Sequence, residues 1–156
     1  MTNNKEYSDK QEKTIANYLD WHQVTGSGAR PLVTGDVESD KWLGECKTHT
    51  KPYQPIMFDS KILNKIVGEA SAKFKQPAYF VDDGSQKIAH TWVMILTRDV
   101  SSNFVIKPYP YRVGNTISFS HVELMMQTPP HTLYSLDLGN YKVLLTPIDT
   151  FYALID

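Results

Sequence analysis

Apolar side chains near the start of the chain recur first at helical intervals and then alternate. Over residues 9–21 they fall at Ile15, Ala16 and Leu19, with Tyr18 and Trp21 alongside, the spacing of one buried helix face in an otherwise polar segment. The run Thr25-Gly26-Ser27-Gly28 ends this helix, because glycines so close together favour a turn. Between residues 30 and 50 the period drops to two: Leu32, Thr34 and Asp36 share one side, a polar turn spans Glu38 to Lys41, and Leu43, Glu45 and Lys47 share a side of the returning strand. That alternation predicts a β-hairpin. A third strand over residues 54–58 follows, placed at an edge by Pro52 and Pro55, since proline cannot donate to a ladder.

Asp59 is a good cap for a second helix, in which Ile62, Leu63, Ile66, Val67, Ala70 and Phe74 form a stripe that must pack on a sheet. Pro77 breaks the pattern, and Ala78-Tyr79-Phe80-Val81 is the short continuous apolar run of a strand covered on both faces. Asp82-Asp83-Gly84-Ser85 reads as a polar turn, and residues 91–97 as the next strand. Residues 117–124, 132–138 and 141–146 all read as strands, the last two joined at Gly139-Asn140 as a tight hairpin. After Pro147 a closing helix spans residues 149–155. No segment is long and polar enough to divide the chain, so residues 1–156 form one domain: α/β, with a mixed central sheet and a β-rich C-terminal extension.

Charge narrows the partners. Sixteen Lys and Arg against seventeen Asp and Glu leave a formal charge of −1, which excludes a generally basic nucleic-acid coat or a polybasic membrane binder, so a DNA-binding face must be local. The single cysteine, Cys46, excludes an internal disulfide and a multi-cysteine zinc site and suits a reducing cytoplasm. No run of about eighteen apolar residues occurs, and the first residues are polar rather than signal-like, so the expectation is a cytoplasmic protein with no membrane partner.

Candidate chemistry gathers at Gly35-Asp36-Val37 and Gly44-Glu45-Cys46-Lys47. Glu45 lies nine residues beyond Asp36, and a hairpin brings the two together. Paired carboxylates repel unless a proton or a cation neutralises them, so the pairing makes most sense around Mg²⁺, with Mn²⁺ as a substitute; zinc would want His or Cys ligands. Glu45 and Lys47 share a strand face, while Cys46 turns its side chain away and can offer only its backbone carbonyl. Such a site suits phosphodiester hydrolysis, in which a metal polarises the phosphoryl oxygen and acidifies a water that the Lys47 ammonium orients.

Through these residues the chain resembles the PD-(D/E)XK nuclease superfamily, and within it the Holliday junction resolvases of archaeal and phage type. The likeness covers roughly residues 10–81. It includes Glu12 on the first helix, followed by Ile15 and Ala16, and the loop Gly26-Ser27-Gly28-Ala29-Arg30. Gly35 stands where the family pattern has proline. The resemblance implies a restriction-endonuclease-like αβββαβ core, metal binding by Glu12, Asp36 and Glu45, and water positioning by Lys47. It also implies phosphate contacts from Ser27, Gly28 and Arg30, branched DNA such as a four-way junction as partner, and a homodimer. If the chain is phage-encoded, the host cytoplasm is its location.

Other features carry alternatives. Glu12 could equally be a solvated helix residue, and Glu6 could take its part if the helix begins earlier; Lys13 is either surface charge or a phosphate contact. His49 could donate to a phosphate, whereas the remaining histidines lack zinc-site spacing. No glycine-rich nucleotide fingerprint occurs, so no nucleotide cofactor is expected. Lys107-Pro108-Tyr109-Pro110-Tyr111-Arg112 reads as a Pro-rich loop or as a base-stacking segment. Cys46 has no base partner that would make it a nucleophile. The competing functions are a restriction-like or repair nuclease acting on duplex DNA, and a catalytically idle binding domain of the same fold.

Overall fold

A computed structural model of the chain describes residues 4–24, 35–96 and 99–156. Helix α1 (Asn4–Leu19) leads into β1 (His22–Gln23), which pairs antiparallel with β2 (Val37–Glu38). A turn returns the chain as β3 (Trp42–Lys47), antiparallel to β2 with Val37 opposite Gly44. Then β4 (Ile56–Asp59) and α2 (Ser60–Ala72) carry the chain over one face, so that β5 (Gln76–Val81) lies parallel to β3, with Glu45 opposite Tyr79 and Lys47 opposite Val81. The remainder is β6 (Trp92–Ile95), β7 (Val105–Pro108), β8 (Thr116–Phe119), α3 (His121–Met126), β9 (Thr132–Asp137), β10 (Lys142–Pro147) and α4 (Ile148–Ile155). The main sheet is mixed and eight-stranded, in the order β1-β2-β3-β5-β6-β10-β9-β7, while β4 and β8 form a separate antiparallel pair.

The sheet is covered on both faces, which is why β5 and β6 read as unbroken apolar runs. On one face Leu43, Tyr79, Val81, Trp92 and Met94 meet Leu63, Ile66 and Ala70 of α2 and Ile56, Phe58 and Phe119 of the small sheet. On the other, Cys46, Ala78, Phe80, Val93 and Ile95 meet Ile15, Ala16 and Leu19 of α1 and Ile148 and Phe151 of α4. Trp21, Trp42, Phe80 and Phe151 pack mostly edge to face there, with centroids 5.1 to 6.4 Å apart. Among the described residues no helix is long and apolar enough to cross a membrane.

Several expectations change. The first helix starts at Asn4, five residues before the expected start at residue 9, because a helix can extend through polar residues that the periodicity does not mark. Leu32 and Thr34 lie outside the described residues; β1, which the sequence does not mark, supplies the strand beside β2. The expected third strand forms as β4 but leaves the main sheet, since β5 takes the place beside β3. Residues 121–126 are helical rather than extended, because Ser120 caps them, its Oγ accepting from the Glu123 N–H at 3.3 Å. Strand β7 was unmarked and lies at the sheet edge, with Val105 and Ile106 half exposed.

Phe74 is the sharpest reversal. Instead of joining the stripe it is 97% exposed, with a left-handed φ of 57°. The Phe74 N–H donates to the Ser71 carbonyl at 3.1 Å and the Lys75 N–H to the Ala70 carbonyl at 2.8 Å, the paired bonds of a Schellman helix end in which glycine is the usual occupant. The reversal that feeds β5 therefore turns the ring outward. Phe74→Gly is expected to stabilise the chain by about 1 kcal/mol, a rise in Tm of about 3 °C, by removing left-handed strain from a residue that buries nothing. A thermal melt with unchanged or lower Tm would contradict this account.

Candidate active site

The β2–β3 hairpin builds one wall of the site from backbone outward. The Asp36 N–H donates to the Gly44 carbonyl at 2.8 Å, and the Val24 N–H to the Asp36 carbonyl at 2.9 Å. The Asp36 carboxylate then reaches across the hairpin, its Oδ2 accepting from the Cys46 N–H at 2.8 Å. Both preceding glycines are required by packing. Gly35 has φ +76°, and a Cβ there would lie 2.6 Å from Leu43 Cδ1; at Gly44 a Cβ would lie 2.6 Å from Phe80 Cε2. Proline, fixed near φ −65°, could not take the Gly35 conformation.

Glu45 projects from β3 onto the α2 side and is only 3% exposed. Its Oε1 lies 3.1 Å from Lys65 Nζ and 3.8 Å from Lys47 Nζ. Helix α1 closes the other wall. Gln11, 2% exposed, donates through Nε2 to the Lys47 carbonyl, fixing the strand against the helix, and Glu12 follows it with a side-chain hydrogen bond from Gln23. Glu12, Asp36, Glu45 and Lys47 together line a cavity of about 370 Å³ whose remaining wall includes Ser8, Cys46, Thr48 and Thr50.

Electrostatics mark this as a cluster short of positive charge. Burial, followed by the charge of Glu45, pushes Asp36 up to about 6, against the opposing Cys46 N–H and Lys47, and the two carboxyls share a hydrogen bond. Burial and then the charges of Asp36 and Asp9 raise Glu12 to about 7. Burial, with Asp36, Glu12, Glu45 and Asp82 around it, holds the Cys46 thiol well above its usual range, so it stays a neutral thiol on the α1 side of the sheet rather than a nucleophile.

Among the described residues no three His, Cys, Asp or Glu side chains converge into a metal cage. Magnesium needs no such cage: it keeps several waters and takes one or two carboxylates. A wall of carboxylate and carbonyl oxygens from Glu12, Asp36, Glu45 and Cys46 suits that ion, whereas zinc favours His and Cys ligands. A second cavity of about 380 Å³, beside β7, β9 and β10, is lined by Ile106, Leu136 and Leu144 and has no converging acids.

The other expected residues either lie outside the described residues or do not line the cavity. Ser27, Gly28 and Arg30 lie outside the described residues. Lys13 is exposed on α1 and does not line the cavity; neither does Glu6. His49 has its Nε2 2.8 Å from the Pro55 carbonyl, which commits the ring to the loop. Tyr109 is buried against Phe119 and Tyr134, and the Tyr111 hydroxyl accepts from Gln127 Nε2 at 2.9 Å, so this segment is packed rather than offered to bases. The Asp82-Asp83-Gly84-Ser85 turn is buried. Asp83 Oδ2 lies 2.8 Å from His90 Nδ1, Asp82 Oδ2 accepts from the Gln86 N–H at 2.7 Å, and Gln86 Nε2 donates to the Tyr7 carbonyl at 2.6 Å, tying the turn to α1.

Sequence reasoning missed Gln11 and Lys65. Gln11 stands four residues before Ile15, a polar side chain on the apolar stripe; Lys65 borders the α2 stripe beside Ile66 and precedes Glu69 by one turn.

Asp36 binds its proton more tightly folded than unfolded. Its contribution to stability is therefore fully present below about pH 4, the unfolded value, and is lost as pH rises through about 6. In EDTA, Asp36→Asn is expected to melt several degrees above the parent at pH 8, on the order of 1 to 2 kcal/mol, and to match it near pH 4. A difference independent of pH would remove the repulsion from the account. Comparison with protein-family models, with curated proteins and with solved structures finds no match to this chain, so what the site does rests on its own geometry and chemistry.

Proposed function

We propose that the chain is a divalent-metal-dependent, structure-selective DNA endonuclease, similar to the phage and archaeal Holliday junction resolvases within the PD-(D/E)XK superfamily. The observation that carries this reading is that Glu12, Asp36, Glu45 and Lys47 line one polar cavity, Glu12 from α1, Asp36 from the residue before β2, and Glu45 and Lys47 from β3. Supporting it is the order from α1 to β5: helix, three-stranded antiparallel meander, β4 outside the main sheet, crossover helix and a strand parallel to β3. Apart from the added β4, this order is similar to the αβββαβ order of that superfamily.

On this reading one or two of the carboxylates of Glu12, Asp36 and Glu45, with the Cys46 carbonyl, would hold the cation and waters would complete its shell. Bound there, Mg²⁺ or Mn²⁺ would supply charge to polarise the phosphoryl group and acidify water. The protein's own contribution is positional. The Cys46 N–H aims the Asp36 carboxylate, Gln11 fixes the backbone at Lys47, and the half-exposed Lys47 ammonium orients the attacking water and faces the negative charge that develops on the phosphate. The net charge of −1 makes DNA contact a local matter for Lys47 and Lys65, the two lysines beside Glu45. A four-way junction has two-fold symmetry, so its resolution calls for two copies.

Cleavage of labelled four-way junction, fork, linear duplex and single strand with Mg²⁺, Mn²⁺ or EDTA tests the reading. Symmetric metal-dependent nicks in the junction are expected, with Asp36→Asn and Lys47→Ala each losing at least about a hundredfold in rate. Equal cutting of linear duplex would make it a general or restriction-like nuclease. No cutting of any substrate with either metal would leave a catalytically idle binding domain.

A further inference from the structure

Resting on that reading and going beyond it, we propose that Lys65 is a movable counter-ion: its ammonium neutralises Glu45 in the metal-free site and withdraws onto Glu69 when a divalent cation binds. The geometry supplies both ends of the movement. Lys65 Nζ lies 3.1 Å from Glu45 Oε1 on β3 and 3.6 Å from Glu69 Oε1, one turn further along α2. The Lys65 side chain is 55% exposed and has room to move, whereas the Glu45 side chain is 4% exposed and fixed. Glu69 Oε2 is buried and makes no hydrogen bond among the described residues, so an acceptor stands ready at the withdrawn position.

Lys65 is also the more dispensable of two ammoniums on one oxygen. Lys47 approaches the same Glu45 Oε1 at 3.8 Å from its own strand, and a dication on that carboxylate repels both. Lys47 is tied to β3 beside its ligand residues, but Lys65 comes from a different element and has a second carboxylate within reach. Cation binding thus exchanges one partner of Glu45 for another, and the freed ammonium stays beside the cavity, where an incoming phosphate arrives.

Binding of Mn²⁺ to the full chain, followed by isothermal titration calorimetry at pH 8 without DNA, separates this inference from the function on which it rests. Lys65→Met is expected to bind Mn²⁺ about five- to tenfold more tightly, by loss of a competing cation. Lys65→Arg, which keeps the charge, should stay close to the parent, as should Lys61→Met, which removes the same charge one turn earlier on the same helix. Glu69→Gln should bind about two- to fivefold more weakly, since Lys65 then has no second partner. The double variant Lys65→Met/Glu69→Gln should match Lys65→Met, because Glu69 acts only through Lys65. Equal or weaker binding by Lys65→Met, or additive effects in the double variant, would overturn the counter-ion. Failure of the parent to bind Mn²⁺, or binding undiminished in Asp36→Asn, would instead overturn the metal site itself.

Discussion

Three carboxyls brought to one buried corner repel each other, and the arrangement around them is a response to that repulsion. Asp36 and Glu45 cannot both be charged and close without compensation, and Glu12 adds a third group from the facing helix. The chain supplies a backbone N–H from Cys46, a shared proton and two lysines on a single Glu45 oxygen. These are partial answers. Burial and mutual repulsion push Asp36 up to about 6 and Glu12 up to about 7, so the cavity favours positive charge beside its carboxyls.

What keeps the acids together against their repulsion is packing that has nothing to do with charge. Parallel pairing of β3 with β5 holds the Glu-Cys-Lys strand between two apolar layers, with Leu43 on one face and Cys46 on the other. Gly35 and Gly44 let Leu43, Val37 and Phe80 close up around the hairpin, so the backbone at both acidic residues is set by a dense interior. Stability is spent here on geometry: the interior is rigid enough to hold groups that would relax apart in a looser protein.

The parts of this arrangement that local pattern encodes were legible. Alternation around Asp36 and Glu45 marks the hairpin, the three- and four-residue stripe marks α2, and the unbroken run at Ala78 to Val81 marks a strand covered on both sides. What was not legible depends on who pairs with whom. Strand β1 has only two residues and no period of its own, and β4 looks like a member of the main sheet until β5 takes the place beside β3. Phe74 scored as core because its spacing is right, but helix termination is decided by where the chain must go next. The Ser120 and Glu123 pair was a readable start signal for α3 that the apolar run around it obscured. In the site, Glu12, Asp36, Glu45 and Lys47 could be named from a pattern; Gln11 and Lys65 could not, since each acts through a residue distant in sequence.

The first helix is anchored unevenly. Its last turns bury Ile15, Ala16 and Leu19 against the sheet, while its first half is secured by the amides of Gln11 and Gln86, one on the Lys47 carbonyl and the other on that of Tyr7. An apolar anchor yields only when the core does, but hydrogen bonds of this kind contribute about 1 kcal/mol each and open by local fluctuation. Glu12 sits where the two regimes meet. The placement of Glu12 is therefore sensitive to two amides outside the apolar core, so a change at Gln11 or Gln86 can shift one wall of the cavity while the packing around Asp36 and Glu45 is untouched.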